Sequence, residues 1–505
     1  MIYRSPVPPP SVPDLPLSDY VLHRAAELGD RPAFIDAGSG RSVSYMQLAF
    51  GPAMAAAGLR ARGLAKGDVV AIYLPNLPEF AAVFHAVLLA GGVCALFSPL
   101  LSPRELSAHC AAVGARFVVT VGPLVPAAAA TGLEIIGVGD APGTTPFLSL
   151  LAPPEEPVPI DPARDLAALV LSSGTEGPPK PVQFTHRNLV AGLAQIEALG
   201  QFTEAEVFLG LLPFTHVYGA LVGLCLPTRL GARAHTLLRF ELFDFLRTLQ
   251  DNRVTVAHLV PPLVQALAEH PGVADYDLSA LRLIISGAAH LPAALGRRCA
   301  ERLGCEVVDG YGLSEAGATH VVHDYEGGRH LGSVGQPLPL VACRIVEGGR
   351  DVEPGEVGEI WVSGPGVSPG YLNHPEANML DAEGWLHTSD LGRVDAEGRL
   401  FVVDRLRELI KCGGVAIAPA PIEERLRAHP AVSDAAVLGA PDPILGEVPV
   451  AFVSLREAID PGRLLSWTAG ELPPDHRLRR VLVLETIPRS LAGKILRRQL
   501  RPLLS

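Results

Sequence analysis

Only four of the 41 basic residues in this chain are lysines: Lys66, Lys180, Lys411 and Lys494. Arginine fills the other basic positions. A lysine kept against that bias marks a place where a compact, mobile point charge does what a planar guanidinium cannot. Lys66 lies in the turn 65–68 and reads as surface, whereas the other three lie in glycine-marked segments. Lys180 closes the run Ser172, Ser173, Gly174, Thr175, Glu176, Gly177, Pro178, Pro179. Small hydroxyl residues and glycines let backbone N–H groups converge on one cavity, which suits phosphate oxygens, and Lys180 can add positive charge. The run is not a Walker loop, which needs Gly-Lys-Ser/Thr after its intervening residues. On pattern alone a polar turn fits it as well.

The elements that must hold such a loop follow a regular order. Strand-like apolar runs alternate with helical patterns at 69–74 and 78–89, 254–259 and 262–269, and 281–286 and 292–303, and a strand at 116–121 follows a helix at 103–113. This alternation predicts an α/β fold with stacked, mostly parallel sheets and helices. After about residue 330 the texture changes to short strands at 342–347, 358–363 and 400–403, set off by Gly, Asp and Glu, which predicts a small β-rich subdomain. Beyond Asp404 comes an α+β unit: a strand, a helix at 421–428, strands at 432–439 and 448–455, a helix at 461–471, a strand near 480–485 and a closing helix. The expected organisation is a large N-terminal domain, 1–403, and a small C-terminal domain, 405–505, joined at Asp404.

Composition bounds the partners. At 48% hydrophobic and 19% charged residues the chain has ample material for a core. Residues 6–16 are too proline-rich for a helix and read as an extended arm. A formal net charge of −12 argues against nucleic-acid binding, which needs a basic face. Seven cysteines, an odd number with no Cys-x-x-Cys pair, fit a reduced cytoplasmic protein without a metal cage. The start of the chain lacks a signal pattern. The longest apolar stretch, 81–100, is broken by His85, a Gly-Gly pair and Pro99, short of the ~20 uninterrupted residues a bilayer span needs. It reads as a buried helix at 79–89, a turn and a buried strand, with no membrane partner.

The lysine loop resembles the phosphate-binding signature of the adenylate-forming superfamily, roughly Ser-Gly-Thr-Thr-Gly-x-Pro-Lys-Gly. Further matches follow in that family's order. Residues 212–219 (LPFTHVYG) resemble Pro-x-x-His-x-x-Gly, residues 286–291 (SGAAHL) Ser-Gly-Ala-Ala-Pro-Leu, and residues 309–315 (DGYGLSE) Gln-Gly-Tyr-Gly-Met-Thr-Glu. Residues 384–392 (GWLHTSDLG) resemble Gly-Trp-x-His-Thr-Gly-Asp, residues 404–411 (DRLRELIK) the hinge Asp-Arg-x-Lys-Glu-x-Ile-Lys, and residues 488–497 (PRSLAGKILR) Pro-Arg-x-x-Ser-Gly-Lys-Ile-Leu-Arg. The pattern is nearest to 4-coumarate–CoA ligases and acyl-CoA synthetases. Three of the four lysines fall on its motif positions.

The resemblance implies ATP-dependent activation of a small acid as its AMP derivative, with pyrophosphate released and thioester formation with CoA to follow. Lys494 would bridge the acid and the α-phosphate, and His216 would sit beside them. Ser172, Ser173, Gly174, Thr175, Gly177 and Lys180 would hold the β- and γ-phosphates. Asp309, Gly310, Tyr311 and Gly312 would take the adenine, with Tyr311 stacked on it. Ser314 would contact the α-phosphate, and Glu315 would ligate Mg²⁺, a hard cation that seeks oxygen. Asp390 would accept the ribose hydroxyls through two oxygens, beside Arg405. Lys411 belongs to the segment that binds the acceptor. Asp404 would be the pivot about which a mobile C-terminal domain rotates. Small walls at Ser286, Gly287, Ala288, Ala289 and His290 and at 310–312, facing His216, Tyr218 and Gly219, leave room for a flat ring. The acid is therefore expected to be an aryl carboxylate, and the protein a monomer or homodimer.

Several positions depart from the pattern. Glu176 replaces a threonine in the phosphate loop, where a carboxylate repels a triphosphate unless it points away or meets Mg²⁺. Pro181 replaces a glycine, His290 a proline and Ala492 a hydroxyl residue. After the hinge, Gly414, Pro419 and Glu423 match, but Gly413 stands for a lysine, Ala416 for a glutamine and Pro421 for a glutamate. CoA loses polar partners there. Three readings follow: an acid–CoA ligase; an adenylating enzyme with another acceptor, either a carrier protein or, as in the ATP-dependent diazotases, nitrite activated toward an arylamine; and a catalytically weakened homologue.

Overall fold

In the computed structural model the described residues are 1–172, 179–322, 332–377, 379–413, 415–470, 472, 476–489 and 493–504. Ser173, Gly174, Thr175, Glu176, Gly177, Pro178, Gly414 and Ala492 lie outside them. Two mostly parallel sheets carry the first part of the chain, one of seven strands and one of nine. In the first, Val69–Ile72, Val93–Leu96 and Ala115–Val121 run parallel, and Leu166–Leu171 extends the sheet before the chain returns antiparallel in Pro181–Thr185. In the second, Val207–Gly210, Val256–Leu259, Leu283–Ser286 and Glu306–Leu313 run parallel, so the ends of successive strands open on one edge. The fold is the α/β arrangement that the alternation implies.

Local chemistry explains where elements begin and end. The helix Pro103–Val113 starts at a reciprocal Ser102–Glu105 capping box and stops at left-handed Gly114. The helix Glu79–Leu89 and strand Val93–Leu96 occupy the apolar stretch, and among the described residues no helix is long and apolar enough to cross a membrane. Phe80 and Phe34 meet Phe214 edge-on at 5.4 and 6.2 Å, geometry that aromatic quadrupoles favour. Lys66 is more than a surface charge. Its ammonium reaches Asp165 at 2.6 Å and the Pro159 carbonyl at 2.8 Å, tying the turn to the segment that leads into Leu166–Leu171.

The β-rich texture forms a six-stranded sheet including Ala342–Glu347, Gly358–Ser363, Leu386–Val394 and Leu400–Arg405, with Tyr3–Arg4 at its edge. A separate five-stranded sheet follows, with Gly446–Leu455 at its centre and Val432–Asp442 pairing along it as an edge strand. Two expectations change here. The first helix of this unit starts at Pro419 rather than 421, because Asp404 supplies its missing cap: Asp404 Oδ2 accepts the Ala420 N–H at 2.8 Å. The closing helix is one turn, Arg497–Leu500, continued as a 3₁₀ turn over Arg501–Leu504, since Pro502 brings no N–H to an α-helix.

Ser389 occupies the position where the resembled motif has glycine, and its φ is +58°. A left-handed backbone costs an L-residue roughly 1–2 kcal/mol, and the freedom that glycine gains in the unfolded chain returns about half of that. Ser389→Gly is therefore expected to raise the melting temperature by about 0.5–1 °C. Differential scanning calorimetry of the two proteins checks this.

Candidate active site

The nine-stranded sheet and the elements packed on it bring four motif segments to one cleft. Asn76 holds the first. Its amide donates to the Gly210 and Leu212 carbonyls at 3.0 and 2.8 Å, and its oxygen accepts the Phe214 N–H at 2.9 Å. With all three bonds made inside the core, the 212–219 segment has little freedom. Gly219 lets it turn, since a Cβ there would lie 2.1 Å from the Pro213 carbonyl oxygen. His216 emerges with Nδ1 accepting the Tyr218 N–H at 3.2 Å. Nε2 therefore carries the ring proton. Burial, with the Lys494 charge nearby, lowers the imidazole to about 4, so it presents a neutral N–H donor.

Behind His216 lies a largely apolar pocket. Tyr218 spans it, donating to the Ile285 carbonyl at 3.3 Å. Gly287 makes room for that ring, because a Cβ would sit 3.0 Å from Tyr218 Cε1. Ala288 follows with φ +67°, a non-glycine in the left-handed region at the pocket edge. Gly310 and Gly312 complete the small wall, and at Gly312 a Cβ would meet the Gly317 carbonyl oxygen at 2.2 Å. Four residues expected on this wall sit elsewhere. Ser286 is sealed behind it, Gly219 is packed on its own turn, and Ala289 and His290 face the cleft toward the last hundred residues. There His290 lies within electrostatic reach of Glu424 and Arg427. The sequence reading missed Gln201, Phe202, His258 and His320 on the pocket wall. The available signal was a histidine in each of two short buried strands, which on its own reads as core.

The cleft in front of the pocket is polar. Asp390, buried, accepts the Tyr311 hydroxyl at 2.7 Å through Oδ2 and pairs with Arg405 Nε at 3.1 Å through Oδ1. Asp309 accepts the Leu291 and Gly310 N–H groups, and burial pushes its carboxyl up to about 8 against those two donors. Glu315 Oε1 accepts the Tyr371 hydroxyl at 2.7 Å, and the Tyr371 ring faces Lys180 Nζ at 5.6 Å. Ser172 closes the loop base by accepting the Lys180 N–H at 3.0 Å. Ser314 lines the pocket beside these groups. Tyr371, absent from the sequence reading, thus links Lys180 to Glu315.

Lys494 reaches this cleft from the far unit and borders both pocket and cleft. Arg489 fixes its loop by a two-pronged pair with Asp434, both contacts 2.8 Å, and by donating to the Gly493 carbonyl at 2.6 Å. Gly493 packs so closely on the other domain that a Cβ would lie 3.2 Å from Pro262 Cδ. Arg456 crosses the same seam to Glu269 at 2.7 Å, and Arg298, on Glu269's own side, holds its other oxygen at 2.8 Å. Burial and the Arg405 charge lower Lys494 to about 8, opposed by Asp390, Glu315 and Glu408. Lys411 points elsewhere. It is exposed on the strand Ile410–Cys412, its N–H bonded to Glu447 at 2.9 Å. Asp404 is buried and pushed up to about 6 by that burial.

Among the described residues no cluster of three or more His, Cys, Asp or Glu side chains could enclose a metal. A lone Glu315 carboxylate beside a phosphate-loop lysine fits a different donor set: magnesium shared between one carboxylate and the phosphates of a bound nucleotide.

The sequence matches the AMP-binding enzyme family over residues 21–372 and the AMP-binding enzyme C-terminal domain over residues 421–494. It is 38% identical to 4-coumarate–CoA ligase-like 9 of Oryza sativa subsp. japonica, across 99% of this chain and 95% of that protein. It is 36% identical to 4-coumarate–CoA ligase of Pinus taeda, across 99% and 97%. Among solved structures, ATP-bound MatB from Rhodopseudomonas palustris superposes with a TM-score of 0.87 at 28% identity, covering 97% of this chain and 99% of that one. The amide bond synthetase McbA from Marinactinospora thermotolerans superposes with a TM-score of 0.85 at 27% identity, covering 97% and 99%.

Proposed function

This chain belongs to the AMP-binding enzymes, as an ATP-dependent, AMP-forming ligase, and on that premise we propose that it adenylates a small aryl carboxylic acid and passes the acyl group to CoA. The observation that carries this reading is Lys494, a single cation bordering both the apolar pocket and the polar cleft.

The acid's ring lies between Tyr218 and the Gly287–Ala288 and Gly310–Gly312 walls, with its carboxylate toward His216 and Lys494. Attack of a carboxylate oxygen on the α-phosphorus builds charge on phosphoryl oxygens and on departing pyrophosphate, so fixed positive charge and N–H donors supply most of the catalysis. Lys494 spans the two reacting groups. His216 Nε2–H orients the acid oxygen without competing for the proton-free nucleophile. Lys180 and the Ser172–Gly177 loop hold the outer phosphates, and Tyr311, Asp390 and Arg405 hold the nucleoside. Glu315, oriented by Tyr371, would hold Mg²⁺, which supplies charge neutralisation at the triphosphate. We place the domain joint at Asp404: rotation there would withdraw Lys494 and bring the face of Lys411 to the cleft.

A different acceptor is the second reading, favoured by Gly413 and Ala416, which leave the CoA side of that face without a lysine and a glutamine. It includes a diazotase that activates nitrite toward an arylamine. The test is AMP formation from Mg-ATP, read by mass spectrometry, across aromatic acids with CoA and, in parallel, nitrite with 3-aminocinnamate. AMP with a new acyl-CoA mass is expected. AMP that requires nitrite and ignores CoA would replace the first reading with the second.

A further inference from the structure

The apolar pocket contains polar atoms that adenylation does not use. His258 lies in the strand Val256–Leu259 and His320 in Gly317–Val321; they are 4% and 1% exposed. His258 Nδ1, His320 Nε2 and Gln201 Oε1 are all buried without a hydrogen-bond partner among the described residues. All three residues line the pocket and none of them lines the cleft; they stand at the end walled by Phe202 and Val321. They also lie together. The Gln201 amide donates to the Val322 carbonyl at 3.5 Å, two residues beyond His320 on the same segment, and the Phe202 ring sits 6.3 Å from that of His258. Buried polar groups in native proteins nearly always find partners. Several orphans on one wall of a pocket point to a ligand that completes them.

The direction of the missing bond can be read. The Thr319 hydroxyl donates its one proton to the Tyr311 carbonyl at 3.3 Å. Toward His320 Nδ1, 3.0 Å away, it must therefore accept. Nδ1 then carries the ring proton and Nε2 is a lone pair. The Gln201 amide nitrogen is its donor, so its oxygen is a second lone-pair acceptor. Burial lowers both histidines to about 3, so neither adds a charge. The described lining includes no Asp or Glu and no Lys or Arg other than Lys494, which matches neither an ammonium nor a second carboxylate at this end.

We propose that the acid carries an uncharged –NH₂ group, as on an aromatic ring, at the end remote from its carboxylate, and that His320 Nε2 and Gln201 Oε1 accept its two N–H bonds. A hydroxyl, with one proton, satisfies only one of the two acceptors. A methyl group or hydrogen satisfies neither. The inference rests on the ligase reading above and narrows its substrate class.

The test is acid-dependent ATP–pyrophosphate exchange by the full chain, with amino-, hydroxy- and methyl-substituted cinnamates at each ring position and with cinnamate itself. At the best ring position, kcat/KM is expected to fall in the order amino, hydroxy, methyl. The amino acid should exceed the methyl analogue by about a hundredfold, roughly tenfold for each acceptor left unpaired. Gln201→Leu and His320→Leu should each shrink that ratio about tenfold, with the methyl analogue unchanged or improved. Gln201 is the more exposed of the two and keeps the test valid where His320→Leu does not fold. Exchange with no preference for the amino acids, or a ratio unmoved in Gln201→Leu, overturns this inference alone. No exchange with any acid overturns the ligase reading and this inference with it.

Discussion

Lys494→Ala is expected to slow adenylation about a hundred- to thousand-fold, the loss that follows removal of one well-placed charge from a preorganised site, while the protein melts at the same temperature or slightly above. The first part follows from position: no other lysine or arginine in the described lining borders both pocket and cleft, and Arg405, which lines the cleft alone, is committed to Asp390. The second follows from the depressed pKa. A lysine lowered from 10.5 to about 8 is less favourably charged in the folded protein than in the unfolded chain, so below pH 8 its charge opposes folding. Removing it relieves that cost. Arg489 and Asp434 go on holding the loop without it. Pyrophosphate exchange and calorimetry on the same preparation check both halves, and an unchanged exchange rate would sink the assignment.

The same shift gives a pH profile. The cation is the active form and is lost as pH rises through about 8. kcat/KM, which reports the free enzyme, is expected to fall above that pH. kcat, which reports the enzyme with its triphosphate bound, should hold to higher pH, because added negative charge raises the lysine. Profiles that fall together would place the titrating group elsewhere.

The motif residues were legible because each is a short run with its own chemistry: Ser102–Glu105 announces a helix, and Pro213 to Gly219 a turn that only glycine can close. What was illegible depends on distant chain meeting. Asp404 reads as a pivot, yet its carboxylate also caps a helix sixteen residues on. The start of that helix therefore cannot be found from local sequence. Tyr371 lies in a segment without a motif and matters only because the fold sets its hydroxyl on Glu315. His258 and His320 read as core histidines, and what distinguishes them is an empty hydrogen-bonding position that only three dimensions reveal. The Glu269–Arg456 contact requires the C-terminal unit to be seated first.

Asp390→Asn is expected to cost about a hundredfold in adenylation, on the scale of losing one preorganised polar contact, with most of the loss in the KM for ATP. Asp390 and Arg405 face each other as register partners on neighbouring antiparallel strands, and Tyr311 comes from a different sheet, so this carboxylate joins two layers at the cleft. A carboxylate has about four lone-pair positions. Tyr311 and Arg405 use two, and the remaining two suit a pair of vicinal ribose hydroxyls. Asparagine keeps the volume and one acceptor but turns N–H donors toward a guanidinium and toward the sugar. Breaking the pair costs stability too. Because Arg405 is about a third exposed, the loss should be about 2 kcal/mol, below that of a fully buried pair. The readout specific to sugar recognition is ATP against its 2′- and 3′-deoxy analogues. The native protein should prefer ATP about tenfold or more, one well-made hydrogen bond to a charged acceptor, and the asparagine variant should not discriminate. If the variant keeps the native preference, Asp390 acts only through Tyr311 and Arg405, as a positioning residue that never touches the ribose.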